Sequence, residues 1–402
     1  MTSSVRASRA RAAATWRRCR AGWAALALLM CGPAAAEGLE YQVHGFAAQG
    51  FALSEGNNVI GDSTNGNFQY FELGLNATVQ TDYRLAFSAQ ELVRKSGMLD
   101  DGDLRLDYGF VDFQALTGPT FDAGLRAGRV KNPFGLFNET RDVVFTRPGI
   151  LMPSVYFDTS GVRSLLFSSD GGQAYAGWSH GSQYTSLVVN KGLNFNLNED
   201  EKRNFSGGTS GLAGDLRFSD FLIARLMNDW SAGIFRVALS YATANLAYLP
   251  APADFVPPFD VDFHIYIASA HYNAERLSLT GEYQFTESQS AQGEGQSDAA
   301  YLQADYRFLP RWSAMARVDG SFSDREDRQG ETCTDNGAPA DRHGCFTLAG
   351  ALGLQWQPDE HWGVWSEFHL FDGTSSVPAV ENQGRALDPH WNLFLLMAAY
   401  RF

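Results

Sequence analysis

The chain has 402 residues, of which 45% are hydrophobic, 13% aromatic and 19% charged, with 40 glycines and a formal charge of −14. Length alone suggests two or three soluble domains, but abundant glycine and aromatics with little charge are the profile of an all-β chain. No apolar run after the first residues reaches the roughly eighteen needed for a membrane helix, so helical-membrane, collagen-like and disordered classes are excluded.

Residues 1–36 read as a cleaved signal peptide. Arg6, Arg9, Arg11, Arg17, Arg18 and Arg20 form a basic segment without an acid, and Ala21 to Cys31 is an apolar stretch too short for an anchor. Ala34-Ala35-Ala36 is a small-residue cleavage site that puts the mature start at Glu37. Met30 is too bulky before Cys31 for lipoprotein processing. Six of the 31 basic residues and none of the 45 acids lie in this segment, so the charge of the mature chain falls from −14 to −20. Such a chain repels nucleic-acid phosphates, and no nucleic-acid partner is expected. Its acids cluster at Asp100, Asp101 and Asp103, at Glu199, Asp200 and Glu201, and at Asp254, Asp260 and Asp262. Such runs are solvated loops, or else face a lipopolysaccharide surface bridged by divalent cations.

From Glu37 onwards the sequence alternates with period two. Phe71, Leu73, Leu75, Ala77 and Val79 alternate with Glu72, Gly74, Asn76 and Thr78; Phe235 to Tyr241, Leu277 to Phe285 and Leu348 to Trp356 repeat the pattern. This is strand periodicity with one apolar and one polar face. The spacing predicts sixteen strands near 39–53, 68–80, 83–94, 104–116, 121–130, 172–179, 183–190, 211–228, 233–246, 261–272, 276–288, 298–308, 312–322, 346–357, 362–372 and 390–402. Between residues 161 and 218 the count stays open at fourteen to eighteen, because Ser164 to Ser169 reads either as a strand or as an extension of the sixth. Short connections such as Gln80 to Tyr83 alternate with long ones such as Lys131 to Val162 and Ser323 to Cys345. Short turns at one end and long loops at the other point to an all-β fold, a transmembrane antiparallel barrel in the outer membrane over residues 37–402. The final strand ends on Tyr400 and Phe402, resembling the C-terminal signal read by the barrel-assembly machinery.

A sixteen-stranded barrel is wide enough for an aqueous channel. Alternation assigns Arg84, Arg105, Arg126, Arg236, Arg276, Arg307 and Arg317 to the lumen, together with Glu72, Asp107, Glu282, Asp305, Asp319 and Glu367. These pair across strands, or their unpaired members act on passing solutes. The connection 131–162 carries apolar pieces, Val143-Val144-Phe145 and Ile150-Leu151-Met152, that favour burial inside the barrel mouth over solvent. Folded inward it narrows the pore, bringing Glu139, Arg141, Asp142 and Arg147 to the constriction, with Arg129 and Lys131 at its root. From Lys131 to Arg163 the basic residues Lys131, Arg141, Arg147 and Arg163 outnumber Glu139, Asp142 and Asp158 by one. A weak anion preference is expected, governed by Arg141 and Arg147 with Arg105 and Arg126; if acids neutralise them, the pore is a general one.

Leu125-Arg126-Ala127-Gly128-Arg129-Val130-Lys131-Asn132-Pro133-Phe134-Gly135 resembles the strand-to-loop segment of Gram-negative porins of the phosphate-selective O/P type. The resemblance implies a sixteen-stranded, trimeric channel with an inward-folded third loop. It does not carry phosphate selectivity over, because candidate lumenal acids almost equal the arginines.

Cys333 and Cys345 share one polar segment, and export through an oxidising compartment predicts a disulfide stapling the extracellular loop 323–345. A zinc site with Asp341 and His343 is disfavoured, since no second Cys or His pair has ligand spacing. Hydrolase and nucleotide motifs are missing, leaving only His271 or His369 as candidates for an outer-membrane enzyme. The sequence therefore predicts a porin passing small hydrophilic solutes or ions, without cofactor, with a lipase- or protease-type barrel or a structural, adhesive barrel as alternatives. Lipid, lipopolysaccharide and two further copies of the chain are the expected partners.

Overall fold

A computed structural model describes residues 39–81, 83–157, 159, 166–206, 212–252, 254, 256–335 and 338–402. The expected signal peptide, its cleavage site, Asp158, Arg163 and Ser164 lie outside the described residues. Among those described, sixteen long strands form one closed antiparallel sheet. They are β1 (Glu40–Glu55), β2 (Asn67–Gln80), β3 (Leu85–Ser96), β4 (Asp100–Thr117), β5 (Phe121–Lys131), β6 (Ser168–His180), β7 (Gln183–Gly192) and β8 (Asp215–Trp230). The round continues through β9 (Phe235–Leu249), β10 (Phe259–Asn273), β11 (Leu277–Ser290), β12 (Gly293–Leu309), β13 (Trp312–Phe322), β14 (Phe346–Trp356), β15 (Trp362–Gly373) and β16 (His390–Arg401). Each strand pairs with its chain neighbour. β16 then pairs back with β1, from Phe46↔Arg401 to Glu55↔Asn392, so every long strand has two neighbours. The two-residue strand Phe195–Asn196 joins the sheet against Phe218 and Arg217.

The open strand count is settled at sixteen long strands among the described residues, because Ser168 and Ser169 open β6 rather than forming a strand of their own. Three strands begin well before their hydrophobic pattern predicts, β6 among them at Ser168. β4 starts at Asp100, and β12 starts at Gly293, where it pairs with Ser290 across a two-residue turn. Asp100 to Asp103 and Gly293 to Ser297 contain no apolar residue, so alternation of hydropathy has nothing to report there. Two connections at the long-loop end are consequently short, Gly97 to Leu99 and Ala291 to Gln292.

The outward faces carry an apolar belt. Mid-strand Leu239, Val318 and Leu352 are 63%, 62% and 67% exposed, a surface that water would not tolerate around a whole barrel but lipid favours. Aromatic pairs ring the short-turn end: Phe121 with Trp178, Trp230 with Phe235, Trp312 with Trp356, and Trp362 with Tyr400, at centroid separations of 5.0 to 5.8 Å. Such rings sit where hydrocarbon meets headgroups. Phe402 closes the seam there, exchanging backbone hydrogen bonds of 3.1 and 3.0 Å with Gly45. A Cβ on residue 45 would lie 2.5 Å from the tip of the Phe402 ring, so glycine there lets the ring lie against the seam.

The inward faces are less polar than expected. Trp391, Leu393, Leu395, Met397 and Ala399 of β16 face inward and are almost wholly buried beneath Val144 and Ile150. A second apolar cluster joins Phe134 to Leu216, Ile223, Leu246 and Ile267 on β8–β10. A loop packed inside the barrel needs an apolar bed, and these strands supply it. At the long-loop end Cys333 and Cys345 form a disulfide, with Cα atoms 5.8 Å apart. In the last long loop, burial raises the Glu381 carboxyl above its ordinary range, opposed by N–H donation from Met98 and Gly61.

Candidate functional site

The segment after Lys131 turns into the barrel, and its attachment can be followed around the wall. Asn132 is held at its root by Asn190 of β7 and Ser169 of β6, at 3.1 and 2.8 Å. The Gly135 N–H donates to Ser240 Oγ on β9, and the Gly135 carbonyl accepts from Arg225 of β8 at 3.0 Å. Arg225 also pairs with Glu139 at 2.6 Å. On β11, Glu282 is buried and accepts from the Leu136 N–H at 3.0 Å and from the hydroxyls of Tyr156, Tyr301 and Ser269. Gln303 of β12 donates to the Pro148 carbonyl, and Asp319 of β13 accepts from the Ser154 N–H at 3.0 Å. Glu367 of β15 accepts from the N–H groups of Ile150 and Leu151. Finally Arg147 reaches Glu72 of β2, at 2.9 and 3.0 Å to its two oxygens. The chain thus crosses the lumen and is tied to nine strands: Glu282, Asp319 and Glu367 accept N–H groups that the irregular backbone leaves unpaired, and Glu72 takes the Arg147 guanidinium.

This arrangement changes the reading of the wall acids. Glu72, Glu282, Asp319 and Glu367 do lie on the lumenal face, but they hold the loop. Cavities lie on both sides of it. The outer one is lined by Leu151, Ser154, Gln284 and Ser297, and the inner one by Phe137, Thr146, Thr280 and Ser313.

The expected constriction residues separate into three groups. Arg141 and Arg147 are only 1% and 9% exposed. Arg141 is internal to the loop, donating to Asn138 Oδ1 and the Tyr156 carbonyl at 3.1 and 2.9 Å. Lys131 bridges Asp107 and Asp142, both buried. Arg105 and Arg94 share Asp100. Arg126 remains partly exposed on β5, bonded to Asp112 and Gln173 at 2.8 and 2.7 Å. Arg129 is misplaced by the sequence reading: three residues beyond inward-facing Arg126 it has the opposite parity, and it pairs with Asp170 across β5–β6 at 3.3 Å on the outer side. Arg84 and Arg276 also leave the wall, since both lie in short connections. Arg307 bends to the Glu275 carbonyl at the rim.

Sequence reasoning missed an aromatic cluster around Arg126. Its guanidinium lies 4.7 Å from the Tyr175 ring and 5.2 Å from Phe110, and the Tyr175 hydroxyl donates to Asp112 at 2.8 Å. Tyr108 and Phe110 alternate with outward Gly109 and Val111, so the signal lies in the parity, but the sequence reading placed only charged residues in the lumen. Of the histidines considered for hydrolysis, His369 bonds Glu367 and His271 bonds Thr280 Oγ1, each at 2.9 Å.

No protein-family model matches the chain, and no curated protein matches it. Solved structures do share its architecture. OmpT of Vibrio cholerae, an outer membrane protein in its trimer form, aligns with a TM-score of 0.56 at 12% identity, covering 91% of this chain and all of that one (100%). The outer membrane channel DcaP of Acinetobacter baumannii gives 0.52 at 13%, over 92% of this chain and 99% of that one. OmpF of Salmonella typhi, in complex with daunomycin, gives 0.55 at 13%, over 91% and 98%. At such identities the likeness is one of fold, and the fold this chain shares with them is the closed sixteen-stranded barrel of outer-membrane proteins.

Proposed function

We propose that the chain is an outer-membrane channel for passive diffusion of small hydrophilic solutes and ions, narrowed by residues 131–162. The observation that carries this reading is the loop fastened across the lumen by side chains from both sides of the wall. An enclosed barrel needs no such partition for stability alone; a diffusion path with a size limit does. The alignment with DcaP, described as a channel, supports the same reading. A homotrimer, contact with lipopolysaccharide and recognition of Tyr400 and Phe402 by the barrel-assembly machinery belong to this proposal. The outer-membrane protein of Vibrio cholerae is itself described in a trimer form.

For selectivity we favour a general pore over an anion or phosphate channel. Each basic residue of the resembling segment faces acids: Arg126 has Asp112, Arg129 has Asp170, and Lys131 has Asp107 and Asp142. A phosphate ladder needs cations whose donors are left for the solute. Arg141 and Arg147, expected to favour anions, are buried, the first in the loop's own hydrogen bonds and the second against Glu72 of the wall. The reversal potential across a KCl gradient should therefore stay close to zero. Arg126→Ala, which leaves Asp112 without its cation, should move it towards cation preference. A clear anion-selective potential in the unaltered protein would refute the general-pore reading.

A further inference from the structure

Three side chains from distant parts of the chain meet at the long-loop rim. His343 lies in the short turn Arg342–Cys345, Asp372 near the end of β15, and His390 at the start of β16. Asp372 and His390 are register partners. They share the outward parity of Leu370, which is 58% exposed just below them, so the cluster sits on the outer side of the rim and not in the lumen. His390 Nδ1 lies 3.2 Å from Asp372 Oδ1, and His343 Nε2 lies 4.0 Å from the same atom. All three atoms fall within 4.8 Å of one another. Asp372 Oδ1 is buried and accepts no hydrogen bond among the described residues.

His343 is also oriented for a ligand. Its Nδ1 is 2.8 Å from Asp341 Oδ1, and the same carboxylate oxygen accepts the His343 backbone N–H at 3.0 Å. An imidazole whose Nδ1–H is committed to a carboxylate presents the Nε2 lone pair, the arrangement that metal-bound histidines use. Thr374 fixes the turn by donating its N–H and hydroxyl to the His343 carbonyl at 2.7 and 3.2 Å. The Cys333–Cys345 disulfide closes it two residues later.

We propose that His343 Nε2, His390 Nδ1 and Asp372 Oδ1 form a binding site for a zinc-class divalent cation, with water completing the coordination. Two imidazoles and one carboxylate suit a borderline cation, whereas calcium and magnesium require oxygen ligands. Ligand atoms about 2.0 Å from a tetrahedral ion stand about 3.3 Å apart. The 3.2 Å separation already meets this, and the 4.0 Å one, between His343 and Asp372, closes by rotation of the Asp372 side chain, which is 46% exposed. The cation would tie the stapled loop 323–345 to the ends of β15 and β16. Because the site is outside the lumen, occupancy leaves the diffusion path unchanged. Without a cation the cluster is a close contact between His390 and Asp372 beside a second ring, and the experiment separates the two.

Untagged, refolded protein freed of metal by chelation is titrated calorimetrically with zinc chloride, and separately with magnesium chloride. Saturable one-to-one zinc binding with no magnesium binding is expected. His390→Ala and Asp372→Asn should each weaken zinc by at least roughly tenfold, and Asp341→Asn, one shell out, by about tenfold. His361→Ala, at the opposite rim, should change nothing. Failure of the unaltered protein to bind zinc saturably overturns the proposal, as does binding that persists in the His343→Ala/His390→Ala double variant. Should a variant fail to fold, the titration of the unaltered protein decides alone.

Discussion

Replacing Arg147 with alanine should raise single-channel conductance and lower the barrel's resistance to urea. Arg147 joins the loop to the β2 wall through both oxygens of Glu72, and it also donates to the carbonyls of Gly149 and Arg141. Removing it leaves Glu72, which is 1% exposed, with Arg94 as its remaining cation at 3.2 Å. Breaking a buried pair from one side costs about 3 kcal/mol, because the surviving charge stays desolvated. The cheaper response is for the loop to swing away and admit water to Glu72. A wider passage then carries more current. Arg147→Lys should fall between, since an ammonium can replace the one guanidinium nitrogen that meets Glu72 but not the further donors to the Gly149 carbonyl and the Tyr70 hydroxyl. Conductance unchanged in Arg147→Ala would show that the loop holds its place without this pair.

Glu282→Leu is expected to have an effect of similar size from the opposite wall. The Glu282 carboxylate collects the Leu136 N–H and three hydroxyls, from Tyr156, Tyr301 and Ser269. Leucine fills comparable space but leaves these donors facing an apolar side chain, at about 1–3 kcal/mol for each one that finds no other acceptor. Tyr156 is central, because its hydroxyl oxygen also accepts the N–H groups of Leu136 and Phe137 at 3.0 Å. Glu282→Gln keeps one acceptor oxygen and should lose less. The urea midpoint should therefore decrease in the order unaltered, Gln, Leu, with conductance noise rising in the same order. Equal midpoints for Gln and Leu would mean that packing, not hydrogen bonding, anchors the loop here.

The barrel itself was legible because strand burial leaves a period-two trace. β13 agrees with its expected bounds at both ends, and most others fall within two or three residues. Where the trace failed, the cause was physical. Asp100 to Asp103 and Gly293 to Ser297 extend strands beyond the apolar belt, in residues that look like loop. The apolar pieces of the long loop correctly pointed to burial, and the apolar inward residues of β16 are the other half of that signal. The loop's anchors were not legible. A carboxylate such as Glu367 looks the same in sequence whether water solvates it or the N–H groups of Ile150 and Leu151 do. Arg129 could have been placed by counting parity from Arg126. The rim cluster of His343, Asp372 and His390 could not, since strand register pairs Asp372 with His390 and a loop turn held by Thr374 brings in His343.

A barrel of this build should enclose a continuous aqueous path narrowed by its inner loop. Planar-bilayer recording of the purified protein tests it most directly. Discrete current steps are expected, ohmic in voltage and proportional to the conductivity of the KCl solution. A protein that inserts into the bilayer but gives no steps at any salt concentration would contradict it.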